Sequence, residues 1–339
     1  MVTLFFLGAT GHIGGAVLNA IHTRFPDIEI VALVRDVQKA NRLSERGKHL
    51  RAVVGDFRDL DSIEGQAKAS DIVINTSPDL LPGSDGAICA ALSGLSSSPR
   101  RGFYIQTSGA FLIGEDAGGA SSEKVWSDIE DIDAIVAMPS TRHHQRTDQI
   151  VRDFSSTVNI SIVSPSVVYG LSSSTGNPVP ITVRDIVAAV NKLSMGFVLG
   201  QGNNILGYID IEDLADIYVR LVDDAVKGPA QHDPRLWGPQ AYYFANGEEI
   251  SFATYMKELV GVLQTQGILR TNTIIDARGV TDMAGREAVN ITTASHGCGM
   301  NVRCRSKRAE TLLLWKAKGP GLLETLPEVV DVLLSQDTP

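Results

Sequence analysis

The stretch Thr3-Leu4-Phe5-Phe6-Leu7-Gly8-Ala9-Thr10-Gly11-His12-Ile13-Gly14-Gly15 decides how the rest of the chain is read. Leu4 to Leu7 is an apolar run too short to span a membrane and suited to a strand covered on both faces. Ile13, Val17 and Ile21 then recur at helical spacing, so the hydrophobic period changes at the glycines. Gly8, Gly11 and Gly14 stand in a G-x-x-G-x-x-G pattern. That spacing permits a sharp turn, close backbone approach to a pyrophosphate, and tight packing of helix on strand, with the phosphates facing the helix N-terminus. A glycine pattern alone means little; the strand before it and the helix after it give this one a nucleotide-binding reading.

Outward from that turn, strand and helix patterns alternate. Candidate strands are Ile28 to Leu33, Leu50 to Val54, Asp71 to Asn75, Phe103 to Gln106, Ile160 to Ser164 and Ala241 to Ala245. Alternation of this kind predicts an α/β fold, a doubly wound parallel sheet, here with a smaller C-terminal substrate lobe. Ile211, Leu214, Ala215, Tyr218, Leu221 and Val222 form one core-facing helical stripe, with Asp213 near its start where an acid suits the helix dipole. The second strand ends in Val34-Arg35-Asp36-Val37-Gln38-Lys39, at the distance from the glycine turn where such folds meet the adenosine ribose. An acid there favours a free 2′-hydroxyl, whereas Arg35, with Lys39 a turn later, favours a 2′-phosphate. The expected cofactor is therefore NADP(H), with NAD(H) not excluded because Asp36 adjoins Arg35, and with a solvated surface arginine as the other reading.

Composition narrows the partners. The 339 residues carry a net charge of −9 with no basic run, which argues against nucleic acid or an anionic membrane surface and leaves a small molecule as the expected partner. Cys89, Cys298 and Cys304 are odd in number and lack paired spacing, so neither a disulfide framework nor a metal site is expected. No apolar run approaches transmembrane length and no leader is recognisable, so the expectation is a soluble cytoplasmic protein.

Gly8-Ala9-Thr10-Gly11-His12-Ile13-Gly14, Gly55-Asp56, Pro165-Ser166-Val167-Val168-Tyr169-Gly170 and Tyr208-Ile209-Asp210-Ile211-Glu212-Asp213-Leu214-Ala215 resemble the extended short-chain dehydrogenase/reductase superfamily, in its NAD-dependent epimerase/dehydratase-like branch. The likeness runs nearly end to end, including Leu313-Leu314-Trp315-Lys316 within a late segment from Arg305 to Pro320. It implies a Rossmann domain of residues 1–165 completed by 207–245, and a substrate lobe of 166–206 and 246–339. It also implies a cofactor site in which Thr10, His12 and Ile13 accompany the glycines and Asp56 lies near the adenine. In that site Asn75 and Thr76 line the channel, while Pro165, Val167 and Val168 flank the nicotinamide. A turn or capping acid is the alternative for Asp56.

The family's Tyr-x-x-x-Lys pair is missing, since no tyrosine here has a lysine four residues on. In that pair the lysine lowers the phenol pKa and the tyrosine passes the proton. Where it is expected the chain reads His143-His144-Gln145-Arg146-Thr147-Asp148, which puts His144 and Asp148 on one helical face. An imidazole beside a carboxylate stays protonated near neutral pH, so His144 becomes the candidate acid, oriented by Asp148, with an ordinary surface contact as the alternative. In Tyr104-Ile105-Gln106-Thr107-Ser108-Gly109-Ala110, Gly109 aligns with the family's catalytic Ser/Thr and Ser108 falls one residue early. Ser108 is a candidate catalytic and substrate contact, and Tyr169 a second substrate contact.

Between Gly114 and Pro139 seven acids stand against one lysine, suggesting a lid or a solvated insertion. Leu171 to Pro180 leads into a predicted helix from Ile181 to Leu193, and Gly285 to Arg305 reads as irregular. The closing stripe of Leu322, Leu323, Leu326, Val329, Val330 and Leu333 serves either the core or a homodimer face. Three functions fit. The first is an NADP-dependent oxidoreductase reducing a small carbonyl, imine or activated alkene. The second is an isomerase, epimerase, dehydratase or cyclase on the same scaffold. The third is a non-enzymatic NADP-binding redox sensor. Fold class alone does not choose among them.

Overall fold

A computed structural model describes residues 1–79, 81–173 and 176–336. Seven parallel strands form the main sheet: β1 (Thr3–Leu7), β2 (Glu29–Val34), β3 (Leu50–Val54), β4 (Ile72–Asn75), β5 (Phe103–Thr107), β6 (Asn159–Pro165) and β7 (Tyr242–Ala245). Their spatial order is β7-β6-β5-β4-β1-β2-β3. Every neighbouring pair is parallel, as crossover helices require. The apolar run in β1 is explained by burial on both faces. Leu4 and Phe6 join one core with the helices His12–Arg24 (α1) and Ile211–Ala225, while Phe5 and Leu7 join the other. The strand order reverses between β1 and β4, and that switch point opens a crevice at the carboxyl ends of the strands.

The helix Ile211–Ala225 is capped by Asp210, whose Oδ1 accepts from the amides of Glu212 and Asp213. The segment before it, Ile205–Asp210, belongs to a separate three-stranded sheet, between Val167–Tyr169 and Glu248–Ser251. The helix from Ile181 to Leu193 forms over the expected residues. The closing helix Leu322–Gln336 turns Leu322, Leu326, Val329, Val330 and Leu333 into the core.

Two expectations are corrected. Met283–His296 is helical rather than irregular, started by the Asp282 carboxylate accepting from Gly285 N and ended by Gly297 at φ 59°. The acidic segment 114–139 is not a free lid. Glu115–Asp116 pairs with Met300–Asn301, and Trp126–Ser127 pairs with Cys304–Arg305. Within that segment Asp128 is fully buried, accepts from the amides of Phe244 and Arg308, and has its pKa pushed up to about 7 by burial. Among the described residues no helix is long and apolar enough to cross a membrane.

Candidate active site

The glycine turn sits at the switch point. Leu7 pairs with Asn75 in register, so Gly8 follows β1 directly opposite Thr76 and Ser77, which follow β4. Gly8 has φ 86°, and a Cβ there would come within 2.8 Å of Thr76 and Ser77 backbone. A Cβ on Gly14 would strike Gly8 O and Thr76 Oγ1. Gly11 differs: among the described residues a Cβ there meets only Gly8 O, at 3.3 Å. Two glycines thus let the turn pack on its neighbour, while the third is left uncrowded by the described residues, as an approaching phosphate needs. The Ser77 hydroxyl is buried beside this turn with no hydrogen-bond partner among the described residues, an unusual state for a buried polar atom and one that a bound ligand would relieve. The residues present therefore fit a dinucleotide.

Of the other expected cofactor residues, Asn75, Thr76 and His12 adjoin the turn. Asn75 is buried, its Nδ2 donating to Gln106 Oε1 and its Oδ1 accepting from Ser77 N. Thr76 Oγ1 donates to Leu7 O. His12 begins α1, and its Nε2 donates to Gly170 O at 3.0 Å; burial lowers its pKa to about 4 against that bond, leaving the ring neutral. Its backbone carbonyl accepts from Ser172 Oγ, so the segment after Val167–Tyr169 is fastened to the turn. Thr10 and Ile13 lie in the turn and first helical residues, both half-buried. Pro165 ends β6, with Val167 buried and Val168 half-buried just beyond. Arg35 is exposed after β2 and Lys39 half-buried, and neither forms an ion pair among the described residues. Asp36 caps the helix Val37–Ser44 by accepting from Lys39 N. Asp56 serves a turn: its Oδ1 accepts from Arg58 N and its own amide donates to Asp59.

On the other side of the same edge, β5 ends at Thr107, followed by Ser108 and Gly109, facing the start of the helix Gln145–Asp153. His144 is the N-cap of that helix, held at φ 65° in the left-handed region that non-glycine residues adopt only when the surroundings require it. Its Nδ1 donates to Asp79 Oδ2 at 2.7 Å, and the same oxygen accepts from Thr147 Oγ1 at 2.8 Å. The expected orienting contact from Asp148 is thus made by Asp79, because a residue at the N-cap lies outside the i, i+4 geometry of the helix interior. Asp148 points inward instead. It is fully buried, and its Oδ2 accepts from Ser108 Oγ at 2.8 Å and Tyr242 OH at 3.2 Å.

Electrostatics follow this pairing. Burial works against the imidazolium, but the hydrogen bond and charge of Asp79, with Asp148 behind, outweigh it and raise the His144 pKa. Burial likewise opposes ionisation of Asp79, and its bonds with His144 and Thr147 still hold it below the usual carboxylate range. Asp148 is pushed up to about 6, chiefly by burial. The free edge of the His144 ring lies over Gly109, where a Cβ would fall 2.5 Å from Nε2. Imidazole and any Cβ at 109 exclude each other.

Residues 8–170 match a family model described as NAD(P)H-binding. Over that stretch the chain is similar to NAD(P)H-binding proteins. It is 27% identical over 342 residues to a protein named oxidase ucsJ from Acremonium sp, covering 96% of each. In fold it is similar to UDP-glucose 4-epimerase from Thermotoga maritima, at a TM-score of 0.65 and 11% identity, covering 99% of both chains. dTDP-glucose 4,6-dehydratase from Bacillus anthracis gives 0.64 and 12%, over 99% of this chain and 97% of that one. A yeast methylglyoxal/isovaleraldehyde reductase solved with NADPH gives 0.60 and 16%, over 98% and 99%. These likenesses are of fold: a doubly wound parallel sheet shared with epimerases, a dehydratase and a reductase.

The structure adds three residues that sequence reading missed. Asp79 and Ser77 lie after β4 with no motif around them, and Tyr242 reads as a strand residue. None has a local signal, since each acquires its role from a partner distant in the chain. Tyr169, expected near the substrate, donates its hydroxyl to Pro320 O at 2.9 Å. Among the described residues no group of three or more His, Cys, Asp or Glu is placed to hold a metal. His296 Nε2 lies 2.8 Å from Asp185 Oδ2, and Cys298 Sγ donates to Thr292 O.

Proposed function

We propose that this chain is an NADP(H)-dependent oxidoreductase acting on a small carbonyl, imine or activated alkene, with His144 as proton donor. The observation that carries the reading is the His144 ring, fixed through Nδ1 by Asp79 and turned with Nε2 over Gly109 beside the end of β5. A bound nicotinamide supplies hydride to the substrate carbon. His144 delivers its Nε2 proton to the substrate oxygen or nitrogen as the double bond opens, and solvent restores that proton afterwards. In the oxidising direction the neutral ring takes the proton back. Asp79 stabilises the charged ring and keeps Nδ1 protonated, so that Nε2 is the atom that exchanges. Ser108 hydrogen bonds to Asp148 and positions the end of β5.

The NADP(H) preference rests on Arg35 and Lys39, two cations just after β2 whose charge would suit a 2′-phosphate, and on Asp36, whose carboxylate is committed to capping the helix. The relative named as an oxidase supports redox chemistry. Incubation with NADPH and a panel of carbonyl, imine and enone compounds, followed by absorbance and product mass, tests the reading. Stoichiometric NADPH loss with gain of two hydrogens by the product is the expected result. Conversion without NADPH loss would establish the isomerase or dehydratase class instead.

A further inference from the structure

The His144 ring also forms one wall of an open cleft of about 470 Å³, lined by the loop from Leu81 to Asp85 and by residues 140–147. The acids in this cleft are already engaged. Asp79 is taken by His144 and Thr147, and Asp85 by Arg146. The cations are not all balanced. Arg142 is anchored by Nη1 donating to Gly114 O at 2.6 Å and forms no ion pair among the described residues. Beside it His143 is exposed, its ring centroid 6.3 Å from that of His144. Leu81 and Pro82 supply the apolar lining. On a chain of net charge −9, a cleft whose unmatched charge is a guanidinium is a local reversal of sign.

We propose that the substrate is a short oxo acid or its imine, its carboxylate received by Arg142 with His143 beside it, and its reacting group at His144. One guanidinium with a neighbouring imidazole matches a monoanion, and Arg presents parallel donors to a carboxylate. The 6.3 Å between the His143 and His144 ring centroids corresponds to about five bonds of an extended carbon chain, so a carboxylate beside His143 and a carbonyl at His144 fit one short molecule. Acid and carbonyl thus fall at the two ends of one small molecule. The proposal rests on His144 as proton donor for where the reacting group lies, but the anion contact is testable without turnover.

The full chain is titrated with straight-chain oxo acids of roughly four to seven carbons, each beside its primary amide, by ligand-observed magnetic resonance. At least one acid is expected to bind about tenfold or more tightly than its amide, a difference of about 1.4 kcal/mol. Arg142→Gln should erase that ratio and Arg142→Lys should keep part of it, with unchanged circular dichroism showing that both fold. The proposal is overturned if acids and amides bind alike, if no acid binds, if Arg142→Gln leaves the ratio intact, or if alkylphosphonates bind more tightly than the acids. NADPH turnover of the bound acids by His144→Asn then separates the two readings. Retained turnover would remove the proton-donor role and leave the anion contact standing.

Discussion

The glycine turn and the His144 cluster face each other along one sheet edge, yet they are built in opposite ways. The turn is made of backbone, from residues contiguous in the chain, and its geometry is dictated by where side chains are absent. The cluster is made of side chains brought from far apart: Asp79 and His144 are 65 residues distant, and Ser108 and Asp148 are 40. A site made of backbone tolerates change in everything but its glycines. One made of converging side chains depends on each partner and is open to replacement of its chemistry. Gly109 shows this directly, because the imidazole occupies the space a side chain there would need.

Four substitutions sharpen the contrast. The largest effect is expected at His144, where Asn accepts the left-handed backbone but cannot act as an acid. His144→Asn should lower turnover about a hundredfold or more while NADPH affinity, measured by calorimetry, stays nearly constant. Retained wild-type turnover would remove the cluster from catalysis. Gly11→Val should do the reverse, weakening NADPH binding by about tenfold or more in a chain that still folds, because the new side chain enters the open space where the backbone must meet phosphate. Unchanged affinity would place the phosphates elsewhere.

Asp79→Asn should cost about tenfold in rate, less than loss of the ring itself, and should move the pH profile. In the reducing direction activity is present while His144 is protonated and falls as pH rises through its raised pKa. Without the Asp79 charge that fall should begin at lower pH, and an unshifted profile would mean that Asp79 merely holds structure. Arg35→Ala should have the smallest effect, reducing the preference for NADPH over NADH by roughly tenfold through loss of one charge-assisted contact. Equal preference in wild type and variant would show that Arg35 is only solvated surface.

The sheet was legible because its cause is local. Four apolar residues in Leu4 to Leu7 require cover on both faces, and the glycines after them require the chain to turn. The expected strand Leu50–Val54 and helix Ile181–Leu193 match the structure to the residue, while Ile28 to Leu33 moves by one. The irregular reading of Gly285 to Arg305 failed because its glycines serve as capping contacts rather than breaks. Gly285 offers its amide to Asp282, and Gly297 ends the helix. The acidic segment misled for a related reason. Its charge suggested solvent, whereas Asp128 is drawn inside by two backbone amides that come from residues more than a hundred positions away.

The sequence alone determined the doubly wound sheet, the position of the glycine turn and the presence of His144 where the resemblance leads one to expect a tyrosine. These follow from periodicity, from glycine's missing Cβ and from residue identity, each a property of a few neighbouring positions. Only the tertiary structure decided that Asp79 rather than Asp148 holds the ring, that Asp148 belongs to a buried network with Ser108 and Tyr242, and that Gly109 makes room for the imidazole. The physical reason is range. A hydrogen bond forms over about 3 Å regardless of how many residues separate its partners in the chain, and no local pattern records which side chains the crossovers will bring together.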